Sequence, residues 1–145
     1  MRGDGGLYST AHDYGRFVRT LLNGGTLDGT RILSPQSVQT MGQNHIDAIF
    51  VETQPDAMPN RTRPLPIGAG NNKFGQGFQI TAADPKCAAF RSPGSLNWGG
   101  INNTHFWIDP ARGVGGIVLM QVQPFYDDAC MGVLRGIEEI VYRSL

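Results

Sequence analysis

The sequence predicts an α+β domain, an antiparallel sheet with flanking helices. Three observations carry this: an amphipathic run after Ser9, a second after Pro124, and between them two β-prone segments joined by turn chemistry. From Ser9 onward, Tyr14, Phe17, Val18, Leu21 and Leu22 recur at i, i+3, i+4, i+7 and i+8, which places them on one face of a helix over about residues 11 to 23. Thr10 followed by Asp13 resembles a capping box with the shorter acid, and Asn23-Gly24-Gly25 supplies the stop. A tight turn follows within Leu27 to Leu33. Ser34-Pro35 then provides an N-cap and a proline at the first position of a short helix reaching about Met41.

Residues 42–73 hold four prolines, several Asn and Gly and only scattered apolar residues, so they read as one long irregular loop. Phe74, Gln76, Phe78 and Ile80 alternate with Gly75, Gly77 and Gln79, the pattern of a strand whose glycines admit a close backbone neighbour. Thr104 to Ile108 and Val114 to Val122 flank Asp109-Pro110-Ala111-Arg112-Gly113 and predict an antiparallel hairpin. The last helix is capped by Asp127 or Asp128 and lays Cys130, Val133, Leu134, Ile137, Ile140 and Val141 along one stripe. No internal repeat interrupts this order, and 145 residues fit one domain.

Twelve Lys and Arg balance twelve Asp and Glu, and the cations are scattered. The sequence therefore carries no footprint for nucleic acid or for an anionic membrane surface. It contains no apolar run long enough for a spanning helix and no signal-type h-region, and it leaves the compartment open. Cys87 and Cys130 are far apart and belong to no Cys/His cluster, so they read as ordinary thiols. His12, His45 and His105 lack metal-ligand spacing, and neither a metal nor another cofactor is expected. All three are read as surface or half-buried side chains, and a Ser95–His105 pair is a minor alternative. The Arg2-Gly3-Asp4 tripeptide and the sequons at Asn60 and Asn102 are short matches expected by chance.

The chemistry-bearing stretch is Trp98-Gly99-Gly100-Ile101, running on to Phe106-Trp107-Ile108-Asp109-Pro110. Two adjacent glycines at a strand let a ligand approach the backbone, an aromatic beside them can wall a pocket, and N–H groups held there can stabilise an oxyanion. The same residues also suit a packed strand start or a bulge.

Three segments in order, Gly5-Gly6-Leu7-Tyr8-Ser9-Thr10-Ala11 with Asp13-Tyr14, then Leu21-Leu22-Asn23-Gly24-Gly25, then Trp98-Gly99-Gly100 with Phe106 to Pro110, resemble the C-terminal half of class C β-lactamase-related serine hydrolases. Among these the chain resembles family VIII carboxylesterases, many of which carry Trp-Gly-Gly or His-Gly-Gly at the third motif. The resemblance runs from Gly5 to the final helix. It implies that residues 1–145 form a single partial domain of the β-lactamase/DD-peptidase-like fold. It also implies Trp98, Gly99 and Gly100 as substrate-binding residues and the Ile101 backbone N–H as an oxyanion donor. Trp98 departs from the Lys common in β-lactamases; losing that cation favours small ester substrates over β-lactam-like ones.

The family's other two motifs are absent from the sequence. No Ser is followed at the third position by Lys, and no Tyr is followed two residues on by Asn. A serine hydroxyl of ordinary pKa is a poor nucleophile. Met1 to Leu7, a glycine-rich turn, reads as mid-chain. The expectation is a catalytically incomplete part of a serine esterase, with a non-catalytic binding or interaction module that keeps the carbonyl-binding cleft as the alternative. The resemblance further implies that strands supplied by the family's N-terminal half pair beside Val114 to Val122. A bare edge there predicts a strand-mediated homodimer or association with a complementing N-terminal half.

Overall fold

A computed structural model describes residues 7–56, 58–83 and 90–145. Helix α1 (Ala11–Leu22) begins at Thr10, whose hydroxyl accepts the Asp13 N–H at 3.1 Å and donates to the Asp13 carboxylate at 2.9 Å. Strands β1 (Thr26–Leu27) and β2 (Thr30–Arg31) form a small hairpin of their own. Helix α2 (Pro35–Met41) starts where Ser34 Oγ accepts the Ser37 N–H. The described residues from Gly42 to Asn72 form no helix or extended strand, only an isolated bridge between Gln54 and Leu65 and one between Thr62 and Phe125.

The main sheet has five antiparallel strands in sequence order: β3 (Lys73–Phe74), β4 (Gln79–Ile80), β5 (Leu96–Gly100), β6 (Thr104–Asp109) and β7 (Val114–Val118). Helix α3 (Asp128–Arg143), capped by the Asp127 carboxylate on the Ala129 and Cys130 N–H groups, ends the fold. The period-2 alternation of β6 explains the layering. Phe106 and Ile108 join Leu96, Ile117, Val18 and Leu21 against α1, whereas Trp107 joins Val118, Met131, Leu134 and Tyr142 against α3. The sheet is thus sandwiched between two helices. Gly116 is required by this packing, since a Cβ there would lie 2.0 Å from the fully buried Trp107 ring.

Three expectations are corrected. Residues 74–80 form two short strands of a hairpin, because the chain turns at Gly75–Gly77; a Cβ on Gly75 would strike the Met41 carbonyl at 2.2 Å. Strand β7 stops at Val118, short of Val122, where the backbone turns to meet Asn102. The buried face of α3 is also rotated from the expected stripe. Cys130, Met131, Leu134, Glu138 and Tyr142 are buried, while Val133, Ile137 and Ile140 are exposed, Ile140 at 71%. The reason is polar: Glu138 pairs with Arg91 inside the fold and Tyr142 donates to Asp109, which together turn α3 away from its most apolar arc.

Candidate functional site

Strand β4 pairs only with Leu96 and Asn97 of β5. From Trp98 to Gly100 the opposite edge of β5 meets no strand among the described residues, while its inner edge is zipped to β6 through Trp98↔Phe106, Gly99↔His105 and Gly100↔Thr104. The three residues singled out in the sequence therefore sit on one strand at an open edge. Ile101, 40% exposed, begins the turn that leads into β6. A cleft of about 440 Å³ opens here, walled by Tyr14, Trp98, Gly100, Phe106 and Ile117. Trp98 is held edge-on against Phe74, with ring centroids 5.0 Å apart, and Tyr14 packs on Phe106 at 5.3 Å.

Among the described residues lining this cleft there is no Lys, Arg, Asp or Glu. His105 is the single histidine among them, and its chemistry is that of a neutral ring. It is 8% exposed, stacks on Phe125 at 5.8 Å, and leaves Nε2 without a hydrogen-bond partner. Burial, reinforced by the nearby Arg91 cation, pushes its pKa down to about 4. The surface or half-buried reading of His105 is thus corrected: its ring fills the space that the missing side chain of Gly99 leaves open, and a Cβ on Gly99 would stand 2.9 Å from Nδ1. Nor does it pair with Ser95, whose hydroxyl is buried and donates to the Ser92 carbonyl at 2.7 Å. Ser34 and Ser37 bond to each other at 2.8 Å. Lys73 Nζ donates to the Asp47 and Ile49 carbonyls and lies over the Phe50 ring, so it activates no hydroxyl.

Two residues that sequence reasoning passed over hold the site in place. Asp109 is fully buried and accepts from the Ser92 N–H, the Arg112 N–H and the Tyr142 hydroxyl, at 2.9, 3.1 and 2.9 Å. Burial alone would raise its pKa, but these donors outweigh it and hold the carboxyl below the usual carboxylate range. Asn103, also fully buried, has a left-handed backbone at φ +58° and ties the turn after Ile101 to residues 122–126. The signal for both was faint: Asp109-Pro110 reads as turn chemistry and Asn102-Asn103-Thr104 as a sequon.

Cys130 is a buried free thiol, and Cys87, like Arg2-Gly3-Asp4 and Gly5-Gly6, lies outside the described residues. Among the described residues no group of His, Cys, Asp and Glu is arranged to hold a metal ion, and no helix is long and apolar enough to cross a membrane.

The Beta-lactamase family profile matches residues 1–135. An uncharacterized protein of Mycobacterium tuberculosis is 36% identical over 123 residues, covering 83% of this chain and 29% of the relative. Monacolin J acid methylbutanoyltransferase of Aspergillus terreus is 30% identical over 145 residues, covering 97% of this chain and 34% of the relative. The chain thus spans about a third of the length of these relatives. Among solved structures, simvastatin synthase from Aspergillus terreus superposes with a TM-score of 0.67 at 26% identity, over 90% of this chain and 33% of that one. The α+β sheet flanked by helices is accordingly part of the β-lactamase/DD-peptidase-like fold.

Proposed function

The chain belongs to the β-lactamase family, and we propose that it supplies the oxyanion strand and one pocket wall of an acyl-transfer site whose nucleophile comes from residues outside these 145. The observation that carries this reading is the cleft under Trp98-Gly99-Gly100, whose described lining residues include no Lys, Arg, Asp or Glu, at the stretch of β5 that β4 leaves unpaired. The family's Ser-x-x-Lys serine attacks an ester carbonyl, its hydroxyl proton passing to the Lys–Tyr pair and on to the leaving alcohol. Water, or a second alcohol, then takes the acyl group from the serine. In this chain the Ile101 N–H donates to the carbonyl oxygen as it gains negative charge, and Gly99 and Gly100 let the substrate approach the backbone.

With no Lys or Arg among the described residues lining the cleft, a substrate carboxylate finds no counter-ion among them, which favours small neutral esters of the family VIII type over β-lactams. The transferase named among the relatives fits the same ester chemistry. Completion of the site needs another polypeptide segment. The outer edge of β7 lacks a strand partner among the described residues, and the exposed Val133, Ile137 and Ile140 of α3 offer an apolar face. A complementing N-terminal half is the occupant favoured, because relatives carry some two thirds of their length beyond the matched region; a second copy of this chain is the alternative.

The test is intact mass after incubation with a serine-directed fluorophosphonate, followed by ester turnover. The chain alone is expected to gain no mass and turn over no ester, and turnover is expected to appear when a nucleophile-bearing N-terminal portion is added. A stoichiometric adduct on the chain alone overturns the reading. Saturable ester binding without turnover in the completed assembly favours a binding module in its place.

A further inference from the structure

The backbone at Trp98-Gly99-Gly100 is intrinsically loose, since glycines restrict φ and ψ least and the outer edge of this stretch has no strand partner among the described residues. A preorganised oxyanion donor cannot be loose, because its value lies in needing no rearrangement as charge develops. Something must therefore fix the peptide of Ile101, and the turn that follows it is clamped at several points. The Asn103 N–H donates to the Gly100 carbonyl at 2.9 Å, closing the turn across Ile101. The Asn103 side chain then uses three hydrogen bonds in a dry setting: Nδ2 donates to the Val122 carbonyl at 2.9 Å and to the Pro124 carbonyl at 2.8 Å, and Oδ1 accepts the Tyr126 N–H at 2.8 Å. Asn102 adds a backbone bond from the Val122 N–H at 3.2 Å, while its half-buried side chain meets Gln121 and Gln123.

We propose that Asn103 is the positioning residue of the oxyanion strand, fixing the direction of the Ile101 N–H by tying the β5–β6 turn to the 122–126 segment. This rests on the reading of Ile101 as oxyanion donor, but the clamp itself is testable without catalysis. Asparagine suits the position on two counts. It tolerates the left-handed backbone, and its amide offers donor and acceptor together, where aspartate would set a carboxylate against two carbonyl oxygens. Asn103 touches no reacting atom and acts through the peptide it holds.

The experiment uses the 145-residue chain, ¹⁵N-labelled, as wild type, Asn103→Gly and Asn102→Gly. Glycine accepts the left-handed backbone at 103 and removes the three side-chain bonds, and the neighbouring glycine variant controls for the backbone freedom that glycine itself adds. Asn103→Gly is expected to lower the order parameter of the Ile101 amide from the level of β6 to below about 0.6, with α1 and α3 unchanged, because the loosening is local. Asn102→Gly, which loses only the side-chain bonds to Gln121 and Gln123, is expected to leave it near the wild-type level. An Ile101 order parameter unaltered in Asn103→Gly overturns the proposal. If that variant does not fold, the wild type still decides: an Ile101 order parameter near those of β6 supports the clamp, and one below about 0.6 overturns it. In an assembly completed by a nucleophile-bearing half, Asn103→Gly is expected to lower kcat with KM unchanged. A normal kcat alongside a loosened Ile101 would leave the clamp standing and remove Ile101 from the oxyanion role.

Discussion

Replacing Asp109 with alanine strands three donors at once: the Ser92 N–H, the Arg112 N–H and the Tyr142 hydroxyl. A buried donor left without a partner costs about 1–3 kcal/mol. Arg112 is exposed, so water can satisfy its N–H and its share falls at the low end, whereas Tyr142 and Ser92 are sheltered. The sum is about 4 kcal/mol, allowing for incomplete additivity, which for a domain of this size lowers Tm by roughly 10 °C. Asp109→Asn keeps the volume and one acceptor oxygen but turns an amide N–H₂ toward a donor, for about 2 kcal/mol. Tyr142→Phe removes a single donor and leaves the carboxylate two others, so about 1 kcal/mol is expected. Urea melts of the four proteins check the order alanine, asparagine, phenylalanine, wild type. An alanine variant within about 1 kcal/mol of wild type would show that Asp109 does not hold β6, the Ser92 turn and α3 together.

Further outcomes follow from the same geometry. His105 binds its proton near pH 4 in the fold and near 6.5 when unfolded, so between these values the unfolded chain holds more protons and stability rises with pH. The contribution is complete above about pH 6.5 and roughly 3 kcal/mol is lost by pH 4; His105→Gln is expected to flatten this slope in melts across that range. Asp109, its carboxyl depressed, adds stability above the unfolded carboxylate pKa that is lost as pH falls through its folded value, and Asp109→Asn should remove that acid limb. Gly116→Ala drives a Cβ into the Trp107 ring and is expected to cost at least about 3 kcal/mol by the same melts. Ile140→Lys and Ile137→Lys, on the exposed arc of α3, are expected to abolish any concentration-dependent association seen in sedimentation while leaving Tm within about 2 °C; association that survives both places the contact elsewhere.

The sequence made the helices legible because their signals are local. Thr10 with Asp13, Ser34-Pro35 and Asp127 each cap the element they announce, and the β6–β7 hairpin is flagged by Asp109 to Gly113. What failed depended on distant partners. Period-3.6 patterning gives α3 an apolar arc over Val133, Ile137 and Ile140, but the side that turns inward is chosen by Arg91, some forty-seven residues upstream, and by Asp109. Likewise the Phe74–Ile80 alternation is a strand by pattern and a hairpin in fact, because the chain turns at Gly75–Gly77, where the Gln76 N–H reaches the distant Met41 carbonyl. The site was half legible: Trp98-Gly99-Gly100 stands out by composition, whereas Asn103 and Asp109 act through bonds to residues 122–126, 92 and 142, which no local window contains.

The same division bears on how the site handles charge. A transition state of acyl transfer places negative charge on one oxygen, and a protein can meet it with a cation or with fixed backbone dipoles. Here the described residues lining the cleft offer no Lys or Arg, the resemblance sets Trp98 where the family's β-lactamases have a cation, and His105 stays neutral above about pH 4. Backbone N–H groups are what remains, and their worth depends on rigidity because a dipole that must turn loses part of its effect. That requirement is hardest to meet on two glycines at an open edge. The buried amide of Asn103 meets it from one side of the turn and the His105 ring, seated where a Gly99 side chain would be, from the other. A site built this way should tolerate change in the cleft's aromatic wall, with substrate preference shifting and rate largely kept, while small changes at Asn103 or His105 should lower the rate with little effect on binding.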